Sequence, residues 1–245
     1  MMGLQLRLER QNKGIEMGEF VKLTANDGNE LSAYVSRPEG AAKGAVVVVQ
    51  EIFGVNSQIR AFADRLAGEG YVAIAPATMD RLEPGLELKD TGEDLKKAFS
   101  LYPQLKVETA LLDVAAAYKF VEAEDHKGIA VVGFCYGGLM AWLSATRGET
   151  VKMRPSCTVG YYAGGIGSFA TEEPSCPVML HFGANDSHIG KDQIDAVREA
   201  HPEVEIFVYE GSDHAFAGTE RTAYNPEQAE IAWERTKEFL ATNVA

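Results

Sequence analysis

The sequence predicts an α/β fold in which helices cover both faces of a mostly parallel sheet. Continuous runs of β-branched residues, such as AVVVVQ at 45–50, are typical of strands buried on both faces. Segments with apolar residues at helical spacing alternate with these runs along the chain. The chain has 245 residues, of which 46% are hydrophobic, enough to build a large core without disulfide bonds.

A hairpin opens the predicted sheet. Asn26-Asp27-Gly28 is a turn signal, and the partly alternating segments beside it predict strands at 18–23 and 30–36. The buried strand at 45–50 comes next. A helix is predicted over 56–69, because apolar residues recur there at helical spacing.

The remaining elements alternate in the same way, apart from a polar, irregular stretch at 77–104 that contains one helix near 93–102. Further strands are predicted at 71–76, 128–134, 157–163, 177–183 and 205–211. Further helices are predicted at 106–123, 137–147, near 190–200 and from about 226 to 240. Because the sequence has no repeat or linker, we predict one domain over 1–245, with residues 1–17 as an N-terminal extension.

The charge balance excludes several classes of partner. A net charge of −13 and a pI of about 4.9 create a surface that repels phosphate backbones and anionic lipids. We therefore expect neither nucleic acid nor a membrane as a partner. An anionic substrate would need a positive side chain of its own within the site.

Cysteine usage favours a reducing compartment. Cys135, Cys157 and Cys176 are odd in number and widely spaced, which argues against a disulfide framework or a zinc site. Residues 1–20 contain no apolar run of signal-peptide length, so a cytoplasmic location is expected. No metal or organic cofactor motif is present, and no cofactor is predicted.

The stretch VVGFCYGG at 131–138 has the outline of a nucleophile elbow, a sharp strand-to-helix turn that usually carries serine. Here the central residue is Cys135, with Gly133 and Gly137 on either side to allow close backbone approach. The N-terminus of the following helix favours a thiolate. A small buried cysteine in a glycine-rich turn fits the same pattern, so the partner residues have to decide.

A nucleophile of this kind needs a base, and four histidines follow Cys135 in the sequence. His181 falls inside a predicted strand, where it would be a core residue. His188 lies in a loop and stays a candidate, whereas His201 is expected at a helix end on the surface. His214 comes directly after the last strand, which is where sites form in open α/β sheets, and it is the predicted base.

The acid that orients the base is predicted to be Asp186, which follows the strand at 177–183. Asp213 is a rival, but an adjacent residue rarely orients its neighbour's ring. Taken alone, Asp186 fits a turn residue and His214 a solvated loop histidine. Their order after Cys135, each just beyond a strand, favours a catalytic triad.

The loop after the strand at 45–50 reads EIFGVN and supplies the next set of candidates. In folds with this elbow, one oxyanion-hole N–H comes from this loop and one from the residue after the nucleophile, here Ile52 and Tyr136. Glu51 lies in the same region. Its carboxylate would oppose ionisation of the thiol and compete with His214 for the proton, unless Glu51 simply ends a strand in solvent.

Six motifs together resemble the dienelactone hydrolase (carboxymethylenebutenolidase-like) family of α/β-hydrolases over residues 18–240. They are QEIFGVN (50–56), GYVAIAP (70–76), GFCYGG (133–138), GYYAGG (160–165), FGAND (182–186) and GSDHAFA (211–217). The resemblance implies a small ester or lactone substrate and ring opening of an unsaturated enol lactone through an acyl-thioester, a mechanism that needs no cofactor. It implies that the triad is Cys135, His214 and Asp186, that the oxyanion hole is Ile52 and Tyr136, and that Glu51 contacts the resting thiol and swings away when substrate binds.

The sequence departs from the family at the residues that hold a substrate carboxylate. The best-known members use two arginines, one a few residues after the catalytic histidine and one in the helix after the Pro-Gly turn. This chain has Gly218 at the first place, with Arg221 slightly further on, and Lys96 and Lys97 at the second. Lysine supplies charge but not a bidentate fork. Lys96, Lys97 and Arg221 are therefore the candidate substrate-binding residues.

Three alternatives stay open at this point. The protein could hydrolyse a different ester or thioester, it could be a redox-responsive protein with Cys135 as sensor, or it could be a non-catalytic scaffold. An ordered set of Cys135, Asp186 and His214 favours hydrolysis, because a sensor or scaffold does not need it. We expect a monomer or a weak homo-oligomer.

Overall fold

The computed structural model describes residues 18–244, so the predicted N-terminal extension, residues 1–17, lies outside the described residues. An eight-stranded sheet runs through this part of the chain. Its strands are β1 (Glu19–Thr24), β2 (Glu30–Ser36), β3 (Ala45–Val49), β4 (Val72–Pro76), β5 (Ile129–Phe134), β6 (Cys157–Tyr161), β7 (Val178–Gly183) and β8 (Glu205–Tyr209). The single-domain organisation of the whole chain stays a prediction.

The strand order is β1-β2-β4-β3-β5-β6-β7-β8. β1, β2 and β4 pair antiparallel, and all other neighbours pair parallel, as predicted. From β3 the chain first builds β4 on one side and then β5 on the other. The order therefore reverses between β3 and β5, and a crevice outside the carboxyl ends of these two strands is the expected place for a site.

Six α-helices flank the sheet in the described part of the chain. They are α1 (Ser57–Gly68), α2 (Gly92–Leu101), α3 (Val107–Glu122), α4 (Tyr136–Arg147), α5 (Lys191–Ala200) and α6 (Pro226–Asn243). Asn56 caps α1 by accepting a hydrogen bond from the Ile59 N–H, and Asn225 caps α6. None of these helices is long and apolar enough to cross a bilayer.

Two strands end two residues earlier than predicted. β6 ends at Tyr161 instead of residue 163, because Tyr162 turns the chain with a φ of 37°. β8 ends at Tyr209 instead of residue 211, because Gly211 takes a φ of 71° in the following turn. In the other direction, α6 continues beyond residue 240 to Asn243.

The middle of the sheet and helix α4 form the core. Every residue of β3, β4 and β5 is buried. α4 is also buried along most of its length, with Trp142 fully enclosed. A helix that is apolar on all sides can only be stable inside the protein. The junction between β5 and α4 is thus a rigid place from which to present a side chain.

Gly137→Ala tests how tightly this junction is packed. A Cβ at position 137 would collide with the carbonyl groups of Val49 and Gln50. We expect the free energy of unfolding to fall by about 1–3 kcal/mol, measured by thermal or urea unfolding. Gly164→Ala is the control, because a Cβ there meets no atom within 4 Å. Equal stability of the two variants would contradict the packing described.

Candidate active site

Cys135 forms the turn between β5 and α4. Its φ of 54° and ψ of −116° are rare for a residue with a side chain, and its N–H donates to the Tyr161 carbonyl at 2.9 Å. Gly133 and Gly137 are needed beside it, because a Cβ at Gly133 would collide with the Gly137 carbonyl. The turn leaves Cys135 partly exposed between two buried elements.

The same packing brings the start of α4 against the end of β3. Gly137 lies on the carbonyl groups of Val49 and Gln50, directly before the loop that holds Ile52. Tyr136 is the first residue of α4, so its N–H has no partner within the helix. Ile52 and Tyr136 are therefore in neighbouring segments at the carboxyl edge of the sheet, as an oxyanion hole requires.

His214 and Asp186 are joined by a short hydrogen bond. His214 Nδ1 lies 2.7 Å from Asp186 Oδ2, after the ends of β8 and β7 respectively. The other oxygen, Asp186 Oδ1, accepts from the N–H groups of His188 at 2.8 Å and Ile189 at 3.1 Å. Asp186 is thus fixed by its own loop and holds the imidazole from one side.

The pKa values of both groups follow from this contact. Burial lowers the pKa of His214, but the hydrogen bonds to Asp186 and Cys135 outweigh it and raise the pKa to about 10. Burial acts against the charge on Asp186, yet the bonds from His214 and the backbone hold its pKa below the ordinary value. The imidazole is thus bonded to Asp186 through Nδ1, and Cys135 is near enough to raise its pKa as well.

The rival acid, Asp213, and one of the other histidines, His181, have different roles. Asp213 accepts from the backbone N–H of His214 at 2.8 Å, so it orients the chain and not the ring. His181 is fully buried in β7, as predicted, and bonds Tyr209 and Thr236. Burial lowers the pKa of His181 to about 3, which keeps it neutral.

The prediction that His201 lies on the surface is wrong. His201 follows the end of α5, but its side chain is only 2% exposed. Its ring packs 5.6 Å from the ring of the buried Trp142, which covers it. His188 is exposed in the loop after β7, with its ring 5.1 Å from that of His214.

Glu51 is a buried residue of the site and does not end a strand in solvent. Its side chain is 1% exposed, and Oε2 contacts Gln58 Nε2 at 3.3 Å and Arg221 Nε at 3.6 Å. Burial raises the pKa of Glu51, although Arg221 and His214 act in the opposite direction. The polar contacts of this carboxylate are with Gln58 and Arg221, and its other oxygen, Oε1, has no hydrogen-bond partner among the described residues.

Comparison with known proteins assigns the chain to a family. The pattern of the dienelactone hydrolase family matches residues 31–244. This chain belongs to the dienelactone hydrolase family. It is accordingly a hydrolase that acts on ester or lactone bonds.

Individual relatives of the dienelactone hydrolase family cover nearly the whole chain. A Synechocystis sp. protein named "putative carboxymethylenebutenolidase" is 32% identical over 237 residues, 89% of this chain and 94% of the relative. Carboxymethylenebutenolidase of Pseudomonas putida is 29% identical over 231 residues, 91% of this chain and 96% of the relative. The crystal structure of a Klebsiella pneumoniae "putative dienelactone hydrolase" has a TM-score of 0.76, at 29% identity, over 91% of this chain and 99% of that one.

Arg221 packs across Gly218, the position at which the family resemblance implied an arginine. A Cβ at Gly218 would collide with the Arg221 side chain and the Gln58 amide. The guanidinium lies 4.3 Å from the centre of the Phe53 ring, and Nη1 lies 3.4 Å from Asp90 Oδ2. The missing side chain at position 218 thus makes room for the arginine three residues later.

Lys96 and Lys97 are placed differently. Both are exposed on α2, where the Lys96 ammonium pairs with Glu93 and the Lys97 ammonium pairs with Glu83, each at 2.7 Å. Arg221, by contrast, has a side chain that is 13% exposed and is held by a carboxylate on either side. Of the three candidate substrate-binding residues, Arg221 contacts Glu51, whereas Lys96 and Lys97 pair with carboxylates on the surface.

Sequence analysis did not identify Gln58, Asp90 or Tyr162, which surround the Glu51–Arg221 pair. Gln58 has the spacing of an ordinary residue in the first turn of α1, so no local signal distinguishes it. A cavity of about 350 Å³ opens beside Arg221 and is lined by polar residues that include Gln58, Asp90 and Glu220. Within residues 18–244, no group of His, Cys, Asp or Glu side chains is arranged to hold a metal ion.

Asp186→Asn tests the charge relation to His214. Loss of the carboxylate removes the partner that favours the imidazolium, so the pKa of His214 should fall by at least about one unit, or about 1.4 kcal/mol. An NMR titration of the imidazole C–H signals measures this directly. Asp213→Asn is the matched control and should leave the pKa of His214 unchanged, because Asp213 accepts a hydrogen bond from the backbone N–H of His214 and not from its ring. Equal shifts in the two variants would rule out Asp186 as the orienting acid.

The same pair makes stability depend on pH with a defined sign. Folding raises the pKa of His214 from about 6.5 to about 10, so the pair stabilises the fold fully below pH 6.5. That contribution is lost as the pH rises through the folded value. The difference in Tm between the unaltered protein and Asp186→Asn should therefore be larger at pH 6 than at pH 10.5, and an equal difference at both would contradict the coupling.

Proposed function

We propose that this protein cleaves an ester or lactone with Cys135 as nucleophile, His214 as acid–base and Asp186 as the acid that orients it. The observation that carries the proposal is the 2.7 Å contact between His214 Nδ1 and Asp186 Oδ2, on a ring whose pKa Cys135 also raises. Nucleophile, base and orienting acid linked in this way are the requirement for covalent acyl transfer.

The reaction then follows in two steps. The Cys135 thiol gives its proton to His214, the sulfur attacks the carbonyl carbon, and the oxyanion accepts hydrogen bonds from the N–H groups of Ile52 and Tyr136. The C–O bond breaks, the leaving oxygen takes a proton from His214, and an acyl-thioester remains. His214 then takes a proton from water, whose oxygen attacks the thioester and returns the sulfur as thiolate. In a lactone, the leaving oxygen stays attached to the acyl group, so ring opening gives one product.

Glu51 and Arg221 are the basis for substrate-dependent activation. In this scheme Glu51 contacts the resting thiol and moves away from it when substrate binds. The polar partners that the structure gives its carboxylate are Gln58 and Arg221. Arg221 is the cation that an anionic substrate meets on a chain of net charge −13. A carboxylated lactone is therefore the first substrate to test, as the name of the Pseudomonas putida relative suggests.

A different ester or thioester is the second candidate substrate. The one observation in its favour is that Lys96 and Lys97, the two lysines considered for a substrate carboxylate, pair with Glu93 and Glu83 on the exposed face of α2. A redox sensor is not favoured, because it would not need His214 held by Asp186. The described cysteines are free thiols, which suits an enzyme of the cytoplasm that works as a monomer or weak homo-oligomer.

Cys135→Ala and His214→Ala test the assignment. Both should reduce kcat/KM for p-nitrophenyl acetate and for a dienelactone by at least about 10³-fold, because nucleophile and base act as one unit. Cys176→Ala removes another partly exposed thiol and should retain activity. If Cys135→Ala and His214→Ala keep full activity, the assignment is wrong, and if the unaltered protein turns over neither substrate, the hydrolase proposal fails.

Arg221→Gln tests which substrates the site prefers. Loss of the cation should raise KM for a carboxylated lactone about 10-fold or more, since a charged hydrogen bond contributes about 1.5–3 kcal/mol. KM for the uncharged p-nitrophenyl acetate should change by less than about 2-fold, because this ester makes no ion pair. The double variant K96A/K97A is the control for a general change of surface charge. A loss with K96A/K97A and none with Arg221→Gln would move the binding site to α2.

A further inference from the structure

Tyr162 is a buried residue at the site to which the proposed mechanism gives no role. It follows β6 directly, and its φ of 37° is a left-handed conformation that aromatic residues rarely adopt. Its N–H donates to the His181 carbonyl at 2.7 Å, which holds it at the carboxyl edge of the sheet. Strained residues of this kind persist mainly where function depends on them.

The hydroxyl group of Tyr162 is a donor that nothing uses. The side chain is fully buried, yet the hydroxyl has no hydrogen-bond partner among the described residues. Its ring is 5.1 Å from that of His214 and 5.8 Å from that of Phe216. Burial raises the pKa of Tyr162, and the charges of Glu51, Arg221 and Cys135 also act on it. The phenol therefore lies among the reacting groups.

Glu51 provides the complementary atom. Oε2 of Glu51 contacts Gln58 and Arg221, whereas Oε1 is buried and has no partner in residues 18–244. The charged groups that act on this carboxylate are Arg221 and His214, which favour its charge, and Asp90, which opposes it. One buried acceptor and one buried donor thus lie in the same site without a mutual hydrogen bond.

We propose that Tyr162 is a positioning residue that donates a hydrogen bond to Glu51 Oε1 when a substrate anion takes Arg221 away from the carboxylate. This inference rests on the proposed function and deepens it. Once Arg221 binds substrate, Glu51 has lost its cation and remains buried, with the Gln58 amide on Oε2 only. The Tyr162 hydroxyl supplies the missing donor and keeps the charged carboxylate away from His214. His214 then exchanges protons only with the reacting groups and not with Glu51.

Tyr162→Phe removes only the hydroxyl oxygen and tests this role. We expect kcat/KM for a carboxylated lactone to fall about 10-fold, as for loss of a hydrogen bond to a charged group. The acid limb of the kcat/KM profile should move to higher pH, because the charged form of Glu51 loses a donor. Tm should stay the same or rise, because the hydroxyl removed has no hydrogen-bond partner among the described residues.

Tyr161→Phe is the matched control, one residue earlier in the chain. Its hydroxyl bonds Thr236 Oγ1 at 2.6 Å and the Ala232 carbonyl at 3.2 Å, away from the proposed site. The effects expected of Tyr161→Phe are therefore the opposite of those of Tyr162→Phe. Tm falls, kcat/KM stays within about 2-fold of the unaltered protein, and its pH profile keeps its shape. This contrast separates a role in positioning from a role in packing.

A double-variant cycle shows whether Tyr162 acts through Glu51. In the Glu51→Gln background, Tyr162→Phe should cause no further fall in kcat/KM. The inference is overturned if Tyr162→Phe leaves the pH profile of kcat/KM unchanged. It is also overturned if Tyr162→Phe lowers kcat/KM equally in the unaltered and the Glu51→Gln backgrounds, or if the unaltered protein turns over uncharged esters but no carboxylated lactone. If Cys135→Ala stays active, the proposed function has failed. An inactive Cys135→Ala together with a silent Tyr162→Phe overturns this inference and leaves the proposed function standing.

Discussion

Cys135 is held at a φ of 54° and a ψ of −116° between β5 and α4, a conformation that costs about 1–3 kcal/mol for a residue with a Cβ. The fold tolerates this cost because the elements on both sides are buried and Gly137 lies directly against the carbonyl groups at the end of β3. This one contact fixes three things together: where the sulfur lies, where the N–H of Tyr136 lies, and how near the loop of Ile52 comes to both.

Two buried carboxylates share this edge of the sheet in different environments. Asp186 receives two backbone N–H groups and an imidazole, so it stays charged and its pKa lies below the ordinary value. Glu51 receives one amide and a guanidinium at 3.6 Å, too little to offset burial, and its pKa is raised. Pairs of acids whose pKa values are separated by their surroundings are typical of sites in which one orients and the other moves or exchanges a proton. This separation suits Asp186 as a fixed support and Glu51 as a mobile group.

Most of the fold follows from local signals in the sequence. Runs of β-branched residues, with glycines at the ends of elements, predict β3, β4, β5 and α4. The order of the elements along the chain predicts that Cys135, Asp186 and His214 each follow the end of a strand. Contacts between distant segments leave no such signal. The passage of Arg221 across Gly218, the burial of His201 under Trp142 and the backbone conformation of Tyr162 depend on tertiary packing. The sequence could therefore name the residues that we propose to react, but not the contacts that Glu51 makes.

The central claim is that the substrate acyl group passes through the sulfur of Cys135. Acid quenching of the protein during turnover of p-nitrophenyl acetate, followed by peptide mapping in a mass spectrometer, tests it most directly. We predict an acetyl group on the peptide that contains Cys135, in an amount that rises in Asp186→Asn if deacylation is slowed more than acylation. An acetyl group on another side chain, or turnover without any acyl-protein at quench times shorter than one catalytic cycle, would contradict the account.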